Sequence, residues 1–281
     1  MEVSQMVKLN NGLEIPGIGL GFWESSGAEA INAVCMGTEA GYRRLDTAMY
    51  YQNEDQVGEG IRRCGVPREE LFVATKIWYK DMCQGRQEET FYKSLENLGL
   101  DYVDLYFLHW PIGEVTASWR VLERLYEQGK IRAIAVSNFQ KVHLEQLLLK
   151  ANVCPAVNQI ESNPMFQQNE VIEFCHREGI MPEAWGPLGK GKDLGHPLLR
   201  ELGEKYGKSP AQIILRWHRQ RGVMAIPKSV RRERIFENIR IYDFSLSSGD
   251  MDAISALDTG VSGRGYAKEY HFHEICENTV Y

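Results

Sequence analysis

Apolar residues along this chain fall into short runs of strand length, separated by stretches in which they recur every three or four positions. The runs occupy residues 17–21, 44–47, 71–77, 103–109, 131–136, 156–160, 180–185 and 223–227. Between them, 28–40, 87–98, 117–128, 141–149, 168–177 and 209–219 read as amphipathic helices. Leu122, Leu125 and Tyr126, or Leu144, Leu147 and Leu148, supply one apolar stripe each. Ser209-Pro210 opens the last of these as an N-cap followed by proline in the first turn. Regular strand-helix alternation favours a parallel sheet, and eight such units favour a closed (β/α)8 TIM barrel over an open doubly wound sheet. Residues 7–15 add an N-terminal β-hairpin, with Asn11-Gly12 as its tight turn, placed to cap the barrel floor. An extra helix is expected within 196–206, and a C-terminal loop rich in glycine and aromatics runs over 259–281. No low-complexity linker interrupts the pattern, so 1–281 reads as one barrel domain.

Composition narrows the partners. The 281 residues are 43% hydrophobic and 25% charged, enough for a large core. A net charge of −6 argues against nucleic acid or an anionic membrane as the main partner. The six cysteines are scattered without a CxxC pair, which suits reduced thiols in a cytosol. No basic start precedes a long apolar run, and no segment approaches the roughly 20 apolar residues that span a bilayer. A soluble cytoplasmic protein is the expectation.

In a barrel of this kind the chemistry projects from the carboxyl ends of the strands. Three apolar runs close on a polar residue: Asp46 after the second, Lys76 near the end of the third, His109 after the fourth. Each alone has an ordinary structural explanation. Converging on one mouth, they can satisfy one another. Tyr50 and Tyr51 follow Asp46 and lie over the same mouth. A tyrosine beside a charged lysine has its phenolate favoured and so becomes a usable proton donor. Asp46 would keep Lys76 charged, and His109 could hold a carbonyl oxygen. Such a group suits carbonyl reduction, and the hydride must then come from a cofactor, since no side chain supplies one.

With these residues the chain resembles the aldo-keto reductases. The matching stretches are 41–54 around Asp46 and Tyr51, Ala74-Thr75-Lys76-Ile77-Trp78, Leu108-His109-Trp110-Pro111, Val136-Ser137-Asn138-Phe139, Val157-Asn158-Gln159, Ala184-Trp185-Gly186-Pro187-Leu188 and Ile226-Pro227-Lys228-Ser229-Val230. Trp185 and the basic run 228–234 are most similar to the bacterial 2,5-diketo-D-gluconic acid reductase type. The resemblance implies a catalytic tetrad of Asp46, Tyr51, Lys76 and His109, choosing Tyr51 over Tyr50 as proton donor. It implies NADPH as cofactor. Ser137, Asn138 and Gln159 would bond the carboxamide and Trp185 would stack on the nicotinamide; Gly186, Leu188 and Val230 are further contacts. Lys228, Ser229 and Arg234, with Arg231, would hold the 2′-phosphate, and Glu237 and Asn238 would approach the adenine. Trp23, Tyr50, Trp78, His109 and Trp110 would form the substrate slot for a small-molecule carbonyl such as an α-dicarbonyl or keto sugar. The family further implies a monomer. The loop 110–119 is short beside that of many animal members, which suggests an open site.

Two glycine-rich stretches, 17–21 and 263–265, lack the GxGxxG spacing between strand and helix. His271, His273, Glu274 and Cys276 resemble a metal cluster only in composition, in a tail and not at a strand end, so no metal is expected.

Overall fold

The computed structural model describes residues 5–262 and 279–280. Eight parallel strands form one sheet in chain order: β1 (Leu20–Gly21), β2 (Arg44–Asp46), β3 (Phe72–Ile77), β4 (Val103–Leu108), β5 (Ile131–Ser137), β6 (Val157–Glu161), β7 (Met181–Trp185) and β8 (Met224–Ile226). The sheet closes on itself through parallel bridges Ile18 to Ala225 and Gly21 to Lys228. Closure is backed by the backbone N–H of Gly19 donating to Ala225 and that of Gly21 to Pro227, at 2.9 and 3.1 Å. The expected (β/α)8 barrel is therefore the fold. Its first strand is shorter than the apolar run, because 17–19 meet the last strand through isolated bridges.

Side chains alternate across each strand, so one face of every strand lines the barrel interior. The inward columns read Phe72, Ala74, Lys76 on β3; Leu105, Phe107 and then His109 on β4; Ala133, Ala135, Ser137 on β5; Val157, Gln159, Glu161 on β6; and Met181, Glu183, Trp185 on β7. The columns of β3 to β6 run from apolar at the amino end to polar at the carboxyl end, and that of β7 carries its carboxylate between Met181 and Trp185. The lower part packs as a cluster of Phe72, Ala74, Leu105, Phe107, Ala133, Ala135, Val157 and Met224.

Leu9 and Ile15 join that cluster from the N-terminal hairpin, whose strands Met6–Lys8 and Glu14–Pro16 pair antiparallel. The hairpin is pinned by the Asn10 side chain donating to the Pro155 carbonyl at 2.9 Å. It plugs the floor, and the mouth is left as the open end.

The outward faces pack against the surrounding helices, including Gly27–Ala40, Gln87–Leu98, Val115–Glu127 and Lys141–Leu148. Three helices among the described residues were not evident from the pattern, the five-residue Tyr79–Cys83 and two longer ones. Glu54–Arg63 is polar and carries Gly58 and Gly60, and Ser248–Ser255 has few apolar residues. Ser248–Ser255 joins Pro197–Tyr206 and Pro210–Gln220 in a separate cluster of Leu199, Leu202, Ile213, Ile214, Trp217, Leu246 and Ile254. The backbone of Thr279–Val280 pairs with Gly113–Glu114, beside the loop after β4. The tail candidates His271, His273, Glu274 and Cys276 lie outside the described residues. Within the described residues, no group of three or more His, Cys, Asp or Glu could hold a metal, and no helix is long and apolar enough to cross a membrane.

Candidate active site

A cavity of about 940 Å³ opens at the carboxyl end of the barrel. Beneath it lies a buried polar network that the inward columns create. Lys76 Nζ is wholly buried and donates to Asp46 Oδ1 at 2.5 Å and to the Thr47 carbonyl at 2.9 Å. Burial pulls the Lys76 ammonium down, but Asp46, Tyr51 and Glu183 more than offset it, so its pKa ends above the ordinary lysine value. Lys76 Nζ sits 5.2 Å from the centre of the Tyr51 ring. Tyr51 and Tyr50 lie in the 3-10 turn Met49–Tyr51, directly after β2. His109 sits edge-on to Tyr51 at 5.8 Å between ring centres and to Trp78 at 5.2 Å. Asp46, Tyr51, Lys76 and His109 are thus brought together as expected.

One buried amide ties the turn after β2 to the loop after β1. Asn53 donates to the carbonyls of Phe22 and Ser25, both at 2.8 Å, and its carbonyl oxygen accepts from the Thr47 hydroxyl at 2.5 Å. That staple sets Trp23 against the tyrosines. Trp23 is near-parallel to Tyr50 at 5.8 Å, Tyr50 stacks on Trp78 at 3.8 Å, and Trp23 meets Tyr51 edge-on at 4.8 Å. With Trp110 also lining the cavity, the four expected pocket aromatics border the tetrad.

On the opposite wall Ser137, Asn138, Gln159 and Trp185 meet. Asn138 takes a left-handed backbone, φ +64°, at the end of β5. Its amide nitrogen donates to the His109 carbonyl at 3.0 Å and to Ser137 Oγ at 3.1 Å, while its oxygen accepts from the Trp185 indole at 2.9 Å. Asn138 therefore fixes the plane of Trp185. Gln159 spends its amide nitrogen on two carboxylates, Asp46 Oδ2 at 2.9 Å and Glu183 Oε2 at 2.8 Å. Two acceptors on one side dictate the amide orientation, leaving Gln159 Oε1 as a spare acceptor at the cavity.

The cavity extends past Gly186 and Leu188 to Lys228, Arg234, Glu237 and Asn238. Of the basic run, Arg232 is committed to Glu39, with Nη1 to Oε2 at 2.7 Å. Lys228 donates to the Glu24 carbonyl at 3.1 Å. Arg234 makes no ion pair within the described residues and lines the cavity, a cation available to an anion. Glu237 accepts from the Ser209 hydroxyl, which also caps helix Pro210–Gln220. Ser229, Val230 and Arg231 stand outside the cavity lining; the Ser229 hydroxyl accepts from the Arg231 backbone N–H at 3.1 Å and shapes the turn.

Sequence reasoning missed Phe22, Glu24, Lys190, Leu194 and Ser209 in the lining, and Arg44 and Glu183 beneath it. For Glu183 the signal was present: it lies two residues before Trp185 on β7, and so on the same inward face.

Such a barrel, with a buried carboxylate-lysine pair beneath a tyrosine and a histidine at its mouth, defines a reductase class. The model of the aldo/keto reductase family matches residues 17–259, and the chain belongs to that family. It is similar to the glyoxal reductase of Bacillus subtilis (strain 168), 50% identical over 254 residues, covering 90% of this chain and 92% of that one. It is also similar to the crystal structure of an aldo/keto reductase from Brucella melitensis, with a TM-score of 0.87 and 44% identity, covering 91% and 100% of the two chains. A Bombyx mori aldo-keto reductase solved in complex with NADP gives a TM-score of 0.86 at 35% identity, covering 91% and 93%.

Proposed function

We propose that this chain is an NADPH-dependent carbonyl reductase that converts aldehydes and ketones, α-dicarbonyls and keto sugars among them, to alcohols. The observation that carries the reading is the buried Asp46–Lys76 pair set against the Tyr51 ring beside His109. Bound NADPH supplies the hydride that no side chain can. Tyr51 delivers the proton to the carbonyl oxygen, and the nearby Lys76 ammonium lowers the cost of the phenolate left behind. Asp46 holds that ammonium in place and charged. His109 receives and orients the carbonyl oxygen, and the Trp23, Tyr50, Trp78 and Trp110 wall excludes water from it.

The cofactor residues fit this reading. Gln159 Oε1, being an acceptor only, suits a carboxamide N–H, and Asn138 Oδ1 keeps a second lone pair for the same group, with Ser137 adjacent. Trp185, pinned at its indole nitrogen, offers a flat face for the nicotinamide. Arg234 and Lys228, with Ser229 and Arg231 beside them, suit the 2′-phosphate, and Glu237 and Asn238 the adenine; Gly186, Leu188 and Val230 complete the contacts.

Glu24 and Asp46 bring carboxylates to the lining, while Lys190 follows β7 and Lys228 and Arg234 follow β8, Lys228 donating to the Glu24 carbonyl. The aromatic slot of Trp23, Tyr50, Trp78 and Trp110 suits a small neutral carbonyl, in line with the glyoxal reductase relative. Reduced thiols at Cys35, Cys64, Cys83, Cys154 and Cys175 suit a cytosolic enzyme, which we take to act as a monomer.

The test follows NADPH absorbance with glyoxal, methylglyoxal, a keto sugar and a keto acid, using the wild type and Tyr51→Phe. The expected result is turnover fastest on neutral dicarbonyls and lost in the variant, with NADPH binding retained. Unchanged turnover in Tyr51→Phe would refute the assignment.

A further inference from the structure

The barrel interior holds more charge than proton delivery by Tyr51 requires. Besides Asp46 and Lys76, Arg44 on β2 and Glu183 on β7 are each only 1% exposed and form an ion pair across the barrel. Arg44 also donates to the Ala225 carbonyl at 3.3 Å. Glu183 and Asp46 accept from the same nitrogen of Gln159, so the second carboxylate lies no farther than two hydrogen bonds from the first. Two cations and two anions are thus joined in the barrel interior through one neutral amide.

We propose that Glu183, paired with Arg44 and joined to Asp46 through the Gln159 amide, is a positioning residue for the reductase site: it balances the interior charge against which Tyr51 holds its proton. The proposal rests on the reading of Tyr51 as proton donor. Glu183 faces Arg44 and Asp46 from β2, Lys76 from β3 and Gln159 from β6, and Arg219 on helix Pro210–Gln220 adds a second guanidinium that repels Arg44. Tyr51 faces Lys76 and, from the end of β4, His109. Burial pushes the Glu183 carboxyl up against the opposing pull of Arg44. At the alkaline pH where a phenol titrates, the carboxyl is ionised, and its negative charge disfavours a phenolate above it.

The sign of each perturbation follows. Glu183→Gln leaves the interior with one excess positive charge, favours the phenolate and moves the alkaline limb of the kcat profile for carbonyl reduction to lower pH. As a general scale, a unit charge about 10 Å from a titrating group at an effective dielectric of about 20 moves its midpoint by about one pH unit, and a shift of that order is expected. Arg44→Gln leaves one excess negative charge and moves the limb up by a similar amount. The double variant Arg44→Gln with Glu183→Gln is neutral again and returns the limb to within a few tenths of the wild type. Glu183→Asp keeps the charge and the wild-type limb, whatever it does to the absolute rate.

The same order must appear without turnover. Phenolate absorbance in the cofactor-free protein, taken as each variant minus its Tyr51→Phe partner, should titrate lower in Glu183→Gln and higher in Arg44→Gln. Shifts of the same sign in the two single variants, or a double variant that fails to cancel, would overturn the proposal; so would an unmoved limb in both. Should one single variant not fold, the other with the double still decides the sign. Turnover that survives Tyr51→Phe would instead count against the proton-donor reading.

Discussion

Replacing Lys76 by methionine removes a wholly buried positive charge whose nitrogen lies 5.2 Å from the centre of the Tyr51 ring, while keeping most of the side-chain volume. At that distance and an effective dielectric of about 20, a unit charge favours a phenolate by about 3 kcal/mol. On the proposed role of Tyr51 as proton donor, its phenol is then the weaker acid, and transfer of its proton to a carbonyl oxygen slows by about ten- to a hundredfold in kcat/KM. Asp46 also suffers, since its Oδ1 loses the ammonium at 2.5 Å. An uncompensated buried carboxylate costs about 3–5 kcal/mol of stability, unless it takes up a proton. Adding Asp46→Asn removes that charge, so the double variant should regain most of the lost stability without regaining the rate. The assay pairs NADPH consumption with glyoxal at neutral pH and urea unfolding followed by tryptophan fluorescence. A double variant in which rate and stability recover together would refute the reasoning, because the rate loss would then be a packing defect.

Two further expectations concern the scaffold. Burial lifts the Asp193 carboxyl to about 6, so the folded state binds the extra proton between that value and the ordinary 3.8, and stability falls as pH rises through this window. Asp193→Asn should remove the slope and stabilise the protein at pH 7 by about 1 kcal/mol, after discounting for partial exposure; parallel urea curves for the two proteins at pH 5 and 7 would contradict it. A Cβ at Gly58 would lie 2.2 Å from the Leu98 carbonyl oxygen, so Gly58→Ala should cost about 1–3 kcal/mol by forcing helices Glu54–Arg63 and Gln87–Leu98 apart. An unchanged melting temperature would show that the contact yields freely.

The barrel was legible in the sequence because a parallel strand buried on both faces is nearly all apolar, and the helices between such strands keep one apolar stripe. Asp46, Lys76 and His109 stood out for the same reason, as polar ends of apolar runs. Helix Glu54–Arg63 did not, since its two glycines read as loop; Gly60 is there because a Cβ would meet Val34 at 2.6 Å, as Gly58 is for Leu98. Glu183 was overlooked inside Met-Pro-Glu-Ala-Trp because a charge within a strand is intelligible only with its partner, and Arg44 lies five strands earlier in the chain. The spacing of residues in sequence carries the inward face of each strand; it does not carry which inward residues meet.

Closure of the sheet bears on how the enzyme comes into being. Asp46 and Gln159 are 113 residues apart in sequence, and Gly21 meets Lys228 only where the last strand joins the first. Contacts of such long range form late, after the loop entropy between them has been spent. A half-barrel fragment would hold Asp46, Tyr51, Lys76 and His109 without the wall that carries Gln159, Glu183 and Trp185. Regain of catalysis during refolding is therefore a reporter of the final joining of the two ends, and it should lag behind the return of helical signal.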